Sequence, residues 1–133
     1  MNLFVTGSNG YIGRNFITKA AKKNIKIFAV TRKKKNKKIK NVKWLVGSID
    51  KNWKELKKSD ILIHFATVGA YDKKVDFNEA HEFNVLKSSK LLMNAINSNC
   101  KKWIIISTNK EEKIEKLIKL KEIKNISSKE LHY

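Results

Sequence analysis

The chain has 133 residues and a formal charge of +18 at pH 7, with 30 Lys and Arg against 12 Asp and Glu. This length suits a single domain with a real core. Cys100, the lone cysteine, excludes an intrachain disulfide and points to a reducing compartment. No uncharged apolar run approaches the roughly 20 residues of a membrane span. The apolar stretch at Leu3 to Val5 also leaves no room for a leader peptide, so a cytoplasmic location is expected.

The charge invites a nucleic-acid reading, because clustered cations neutralise phosphates. Yet Arg14 and Arg32 are the only arginines, and lysines are scattered over nearly every polar segment. Arginine is the preferred bidentate partner of phosphate and base edges. No specific nucleic-acid partner is expected. The dense cluster at residues 32–40 reads as a solvated loop or as a contact to a cofactor phosphate.

Asn2 to Thr6 is a continuous apolar run and predicts a buried strand. Gly7, Gly10 and Gly13 follow in the spacing G-x-x-G-x-x-G, with Ile12, Phe16, Ile17, Ala20 and Ala21 at helical intervals behind them. A glycine at the first position allows a sharp turn off the strand. At the second it removes a Cβ that would bar a pyrophosphate, and at the third it lets the helix pack on its strand. The helix start then offers free N–H groups and a positive dipole end to an anion.

Further strands are predicted at 25–31, 44–46, 61–66 and 103–107. A short helix is expected at 53–57, capped by Asp50 or Asn52. A long helix is expected at 78–99, burying Phe83, Leu86, Ser89, Leu92, Met93 and Ile96, and another at 110–124, with Thr108 and Glu111 as a capping box. Strands alternating with helices imply a parallel sheet with right-handed crossovers. The fold class is α/β: a Rossmann-type doubly wound, three-layer sheet of about five strands.

Thr6-Gly7-x-x-Gly10-x-Ile12-Gly13 resembles the opening of the extended short-chain dehydrogenases/reductases, the NAD(P)-dependent epimerases and dehydratases that act mostly on nucleotide sugars. Later segments agree in order. Residues 60–67 resemble the strand whose end passes beside the cofactor, Asn84 and residues 91–95 resemble the N-x-x-G-x-x-x-L-L-x-A helix, and residues 105–108 resemble the strand carrying the catalytic Ser or Thr. The resemblance implies cofactor contacts from Gly7, Asn9, Gly10, Tyr11, Ile12, Gly13, Ile49, Phe65, Ala66, Thr67 and Asn84, with Asp50 reaching the adenine and Thr108 the substrate oxygen. Alternatively, Asp50 and Thr108 are helix caps, Asn84 bridges backbone groups, and His64 is a buried, hydrogen-bonded histidine. Arg32 closes the second strand, where an acidic residue would take ribose hydroxyls and an arginine can hold a 2′-phosphate. No Asp or Glu occurs before Val46, so NADP is favoured over NAD.

The family's Tyr-x-x-x-Lys pair is missing after Thr108. In one register Lys129 is the lysine and Asn125 stands at the tyrosine position; in the other Tyr133 is the tyrosine and its lysine is absent. Asn109 and Lys110 stand where sugar-nucleotide dehydratases carry an acidic pair, which disfavours that subclass. Residues 1–133 are thus expected to be an N-terminal NAD(P)-binding domain without a substrate lobe, C-terminally truncated and inactive by itself. A nucleotide-sugar substrate, a homodimer or a complementing C-terminal polypeptide are the partners implied; no metal site is. A non-catalytic dinucleotide-binding or regulatory module is one alternative, and a basic nucleic-acid-binding protein is the other.

Overall fold

β-branched and aromatic residues dominate the short runs that pair into the sheet, as expected for strands buried on both faces. A computed structural model describes residues 1–34, 36–69 and 75–106. Five strands, β1 (Asn2–Thr6), β2 (Lys26–Thr31), β3 (Val42–Val46), β4 (Ile61–His64) and β5 (Lys102–Ile105), form one parallel sheet in the order β3-β2-β1-β4-β5. The chain winds outward from β1 to β3, then restarts at β4 on the other side. The switch point therefore lies between β1 and β4, where such sheets open a crevice beyond their carboxyl ends. The Rossmann-type reading is correct.

Alternation along β1 divides the core. Phe4 packs with Phe28, Leu62, Leu56 and Leu91 on one face, whereas Leu3 and Val5 pack with Ile17, Ile27 and Ile63 on the other. Helix α1 (Tyr11–Ala21) covers the second face through Ile17, Ala20 and Ala21. Burying each such large aliphatic side chain contributes about 1.5–3 kcal/mol. At the C-terminal side of α1, Asn24 turns the chain with φ +59°, a left-handed conformation that asparagine tolerates.

Two predicted helices need correction. Instead of a helix at 53–57 capped by Asp50 or Asn52, a 3-10 helix spans Lys54–Lys58, with Trp53 at its N-cap and no side-chain cap. The Trp53 indole is buried and donates to the Ser48 carbonyl at 3.0 Å, and that anchoring fixes the entry to the helix instead.

The long helix begins at Phe77 and changes pitch midway: α2 (Phe77–His81), a π turn (Glu82–Lys87) and α3 (Ser88–Asn97). A wide turn adds one residue to the repeat and rotates everything after it by roughly a quarter turn. The buried line therefore runs through Ser88, Leu91 and Ala95, with Phe83 and Leu92 partly buried against the same core. Leu86, Met93 and Ile96, placed inside by a uniform 3.6 period, are about half exposed. The predicted strands at 61–66 and 103–107 are shorter in the structure; residues 65–67 leave the ladder after His64. The helix expected at 110–124 lies outside the described residues.

Candidate functional site

The carboxyl ends of β1, β2, β3 and β4 surround a cleft of about 940 Å³. Gly7, Asn9, Gly10, Tyr11, Ile12 and Gly13 form its floor. Each glycine there answers a different constraint. Gly7 has φ +68°, and a Cβ on it would lie 2.6 Å from the Ala66 nitrogen. A Cβ on Gly13 would meet the Gly7 carbonyl at 2.3 Å, so this glycine packs the helix start on the loop itself, not on a strand as the spacing suggests. Gly10 has an ordinary φ of −68°, and a Cβ there meets only the Gly7 carbonyl, at 3.2 Å. The protein's own packing accounts fully for Gly7 and Gly13, and only weakly for Gly10.

Gly10 is the N-cap of α1, with no side-chain cap and no acidic residue in the first turn. The helix start thus lacks a side-chain acceptor and retains its affinity for an anion. Tyr11 and Ile12 lie there, both well exposed.

On the β2 side, Thr31 and Arg32 line the cleft, as does Lys33. Asn9 donates to the Thr31 hydroxyl at 2.5 Å and to Asn36 Oδ1 at 3.0 Å, tying the lysine-rich loop to the glycine loop. The Lys33 amide also donates to Thr31 Oγ1, at 3.0 Å. The end of β2 therefore offers a hydroxyl already engaged by two donors, followed by a guanidinium, and no carboxylate.

Behind β3, Gly47, Ser48 and Ile49 line the cleft and Asp50 does not. The Ser48 hydroxyl donates to the Asp50 carboxylate. That bond, helped by the nearby Lys87 and Lys90 charges against an opposing desolvation, holds the Asp50 carboxyl below the usual carboxylate range. Ser48 thus lines the cleft, with the Asp50 carboxylate behind it. Sequence spacing could not distinguish them, since both fall in the turn after β3.

Phe65, Ala66 and Thr67 form the β4 wall, and the Phe65 ring meets Phe16 at 5.5 Å. Asn84 is absent from the lining. Its amide accepts from the Val68 N–H and donates to the Val68 carbonyl, both at 2.9 Å, and its Oδ1 also accepts from Thr67 Oγ1 at 3.2 Å. Asn84 thus bridges backbone groups and holds the β4 loop against the π turn.

Beneath the loop, His64 is buried between two hydroxyls, 2.5 Å from Thr6 Oγ1 at Nδ1 and 3.0 Å from Ser88 Oγ at Nε2. Ser88 donates its single proton to the Phe83 carbonyl at 3.0 Å. His64 Nε2–H must then donate to Ser88, leaving Nδ1 to accept from Thr6. Burial lowers the His64 pKa and keeps the ring neutral. Sequence reasoning named the histidine but missed Ser88, whose place on the buried face depends on the π turn. Thr108, Lys129 and Tyr133 lie outside the described residues.

The sequence model of the NAD dependent epimerase/dehydratase family matches residues 3–118. The chain belongs to that family. Among solved structures it is similar to the UDP-glucose 4-epimerase of Thermotoga maritima, at 23% identity and a TM-score of 0.68 over 81% of this chain and 38% of that one. It is also similar to MoeE5, solved with UDP-glucuronic acid and NAD, at 20% identity and a TM-score of 0.68 over 81% and 37%. The uronate dehydrogenase of Agrobacterium tumefaciens matches at 15% identity and a TM-score of 0.65 over 81% and 41%. At these identities the likeness establishes the fold, and the chain spans about two fifths of these proteins' lengths. No curated protein matches. No helix among the described residues is long and apolar enough to cross a membrane.

Proposed function

We propose that the chain binds a nicotinamide dinucleotide in the cleft at the sheet's switch point, as the dinucleotide-binding part of a nucleotide-sugar epimerase or reductase. One observation carries this reading: Gly10 is a glycine that the protein itself hardly needs, set at a helix start that no side chain caps. A pyrophosphate supplies the missing reason. Its oxygens would take the free N–H groups of the first turn, and a side chain at position 10 would stand in their way.

The adenosine end lies toward β2 and β3. Arg32 favours NADP, because a guanidinium pairs with a 2′-phosphate and no carboxylate stands at the end of β2 for ribose hydroxyls. MoeE5 is a neighbour solved with NAD, which makes this preference a point of difference to test. Phe65, Ala66 and Thr67 flank the nicotinamide half. Bound dinucleotide supplies hydride chemistry at a sugar carbon; Thr108 is assigned to the substrate oxygen and Lys129 to the lysine of the family pair, with Tyr133 the alternative register. Residues 1–133 contain no Tyr-x-x-x-Lys after Thr108, so binding is the function these residues support by themselves. Assembly with a second copy or with a complementing polypeptide belongs to the same proposal.

Calorimetric titration with NADPH and NADH tests it. NADPH is expected to bind at least tenfold tighter, a charge-assisted contact being worth about 1.5–3 kcal/mol. Arg32→Ala is expected to remove most of the difference. Tighter binding of NADH by the parent would overturn the Arg32 assignment, and binding of neither would overturn the dinucleotide reading.

A further inference from the structure

We propose that the groove between α1 and the β4–β5 half of the sheet docks one amphipathic helix of a complementing polypeptide, with an apolar stripe turned to the sheet and acidic residues on its flanks. The inference rests on the assembly proposed above and names the element that such a partner brings.

Among the described residues, α1 is the one helix packed on its face of the sheet. Beside it lies a groove of about 350 Å³, lined by Leu3, Phe16, Ala20, Ile61 and Ile63. Strand register carries the same surface onto β5. Ile63 pairs with Ile104 and Ile61 with Lys102, and paired residues of a sheet point to one side. Ile104 is about half exposed although it stands in a strand. Parallel sheets are ordinarily covered on both faces. Here the β4–β5 half has an apolar face on the α1 side that no described helix covers.

The opposite face of β4 is covered by α3, whose Leu91 and Ala95 pack with Leu62. Right-handed crossover places α3 there, and it sends the connection from β5 to any further parallel strand to that side too. The groove is therefore left for an element that is not a crossover helix. Two strands spaced about 4.8 Å apart span roughly 10 Å, the width of one helix, so a single helix laid along α1 fills the space. Charge then selects which helix. Lys19 and Lys23 line the groove on the α1 side, exposed Lys102 stands on the β5 side, and no acidic residue lines it. An apolar floor between cationic margins matches a Leu- or Ile-rich stripe flanked by Asp and Glu. A second copy of this chain fits poorly, because it brings a further +18 charge to lysine margins, and like charges set face to face oppose association.

The test titrates the full chain with two fluorescent helical peptides of about 18 residues, long enough to hold a helix, which share one leucine stripe and carry either Glu or Lys on its flanks. The parent is expected to bind the Glu peptide about tenfold tighter than the Lys peptide or better, with an affinity that falls as salt rises. Ile104→Glu, a change at a half-exposed position, should weaken the Glu peptide by about tenfold or more. Lys19→Glu with Lys23→Glu should weaken it about as much. Lys37→Glu with Lys38→Glu makes the same charge change at the β3 edge, where Lys37 meets Trp44, and should alter binding by less than about twofold. Equal affinity for the two peptides, undiminished binding in Ile104→Glu, or equal losses in the two lysine pairs would each overturn the inference. So would a parent that sediments as a dimer and becomes monomeric in Ile104→Glu, because the groove would then belong to a second copy. Failure of the Glu peptide to bind the parent would overturn it too, as when the chain's own residues fill the groove. Each of these results leaves dinucleotide binding standing, with NADPH titration of the same samples as the separate readout of that reading.

Discussion

Gly13 and His64 carry the clearest residue-scale consequences. A methyl group on Gly13 would sit 2.3 Å from the Gly7 carbonyl oxygen and 3.0 Å from its carbon, against backbone that cannot swing aside. Gly13→Ala is therefore expected to cost about 2–3 kcal/mol in denaturant unfolding, near the upper range for overpacking; an unchanged midpoint would contradict the packing described for the loop. His64 is held neutral, its folded pKa lying below the ordinary 6.5. The unfolded chain then binds more protons as pH falls below 6.5, so stability is full above that value and declines beneath it. Asp50 and Glu55, whose pKa values are also lowered, lose stability only below the carboxylate range, nearer pH 4. The urea midpoint is expected to drop between pH 7 and 5 in the parent. In His64→Gln it should be lower at pH 7, by about 1–2 kcal/mol for the lost bonds, and flatter over this interval. The glycine spacing and the buried histidine were legible in the sequence because residue type alone carries them. Which of Ser48 and Asp50 faces the cleft was not, since that depends on how the turn is tied to Trp53, Thr31 and Asn94.

Among elements, the strands were the most readable, because short β-branched runs in a buried parallel sheet have few alternatives. The helix from Phe77 to Asn97 was the least. A periodicity argument assumes one pitch, and the π turn at Glu82–Lys87 rephases Ser88, Leu91 and Ala95 onto the core. The turn also brings the Phe83 carbonyl to Ser88 Oγ and lets Asn84 reach Val68. The wide turn thus joins the histidine brace to the β4 wall of the cleft. Removing the bridge should loosen that wall. Asn84→Ala is expected to cost about 0.5–1.5 kcal/mol of stability, since the exposed Val68 groups it releases can bind water instead, and to raise the hydrogen-exchange rate of the Val68 amide above that of the β1 amides. An equally protected Val68 in the variant would contradict the bridging role.

At the scale of the molecule, the family match over residues 3–118 and the 3-2-1-4-5 strand order agree with the sequence reading in class and topology. The +18 charge is expected to give DNA binding that is indifferent to sequence and fades by about 0.2 M salt, as counterion release requires. Tight binding to one sequence at that salt would call for a nucleic-acid role. Residues 1–133 are expected to show no turnover of nucleotide sugars with NADPH, because a general acid/base near neutral pH supplies about 10²- to 10⁴-fold and no Tyr-x-x-x-Lys pair is present after Thr108. Turnover by this chain alone would refute that expectation. The central claim is that the uncapped helix start at Gly10 holds the pyrophosphate. Titration of NADPH into the parent and into Gly10→Val, with both folds checked by far-UV circular dichroism, tests it most directly. Binding by the parent and at least a tenfold loss in the folded variant are expected; equal affinity in the two would show that the helix start does not hold the pyrophosphate.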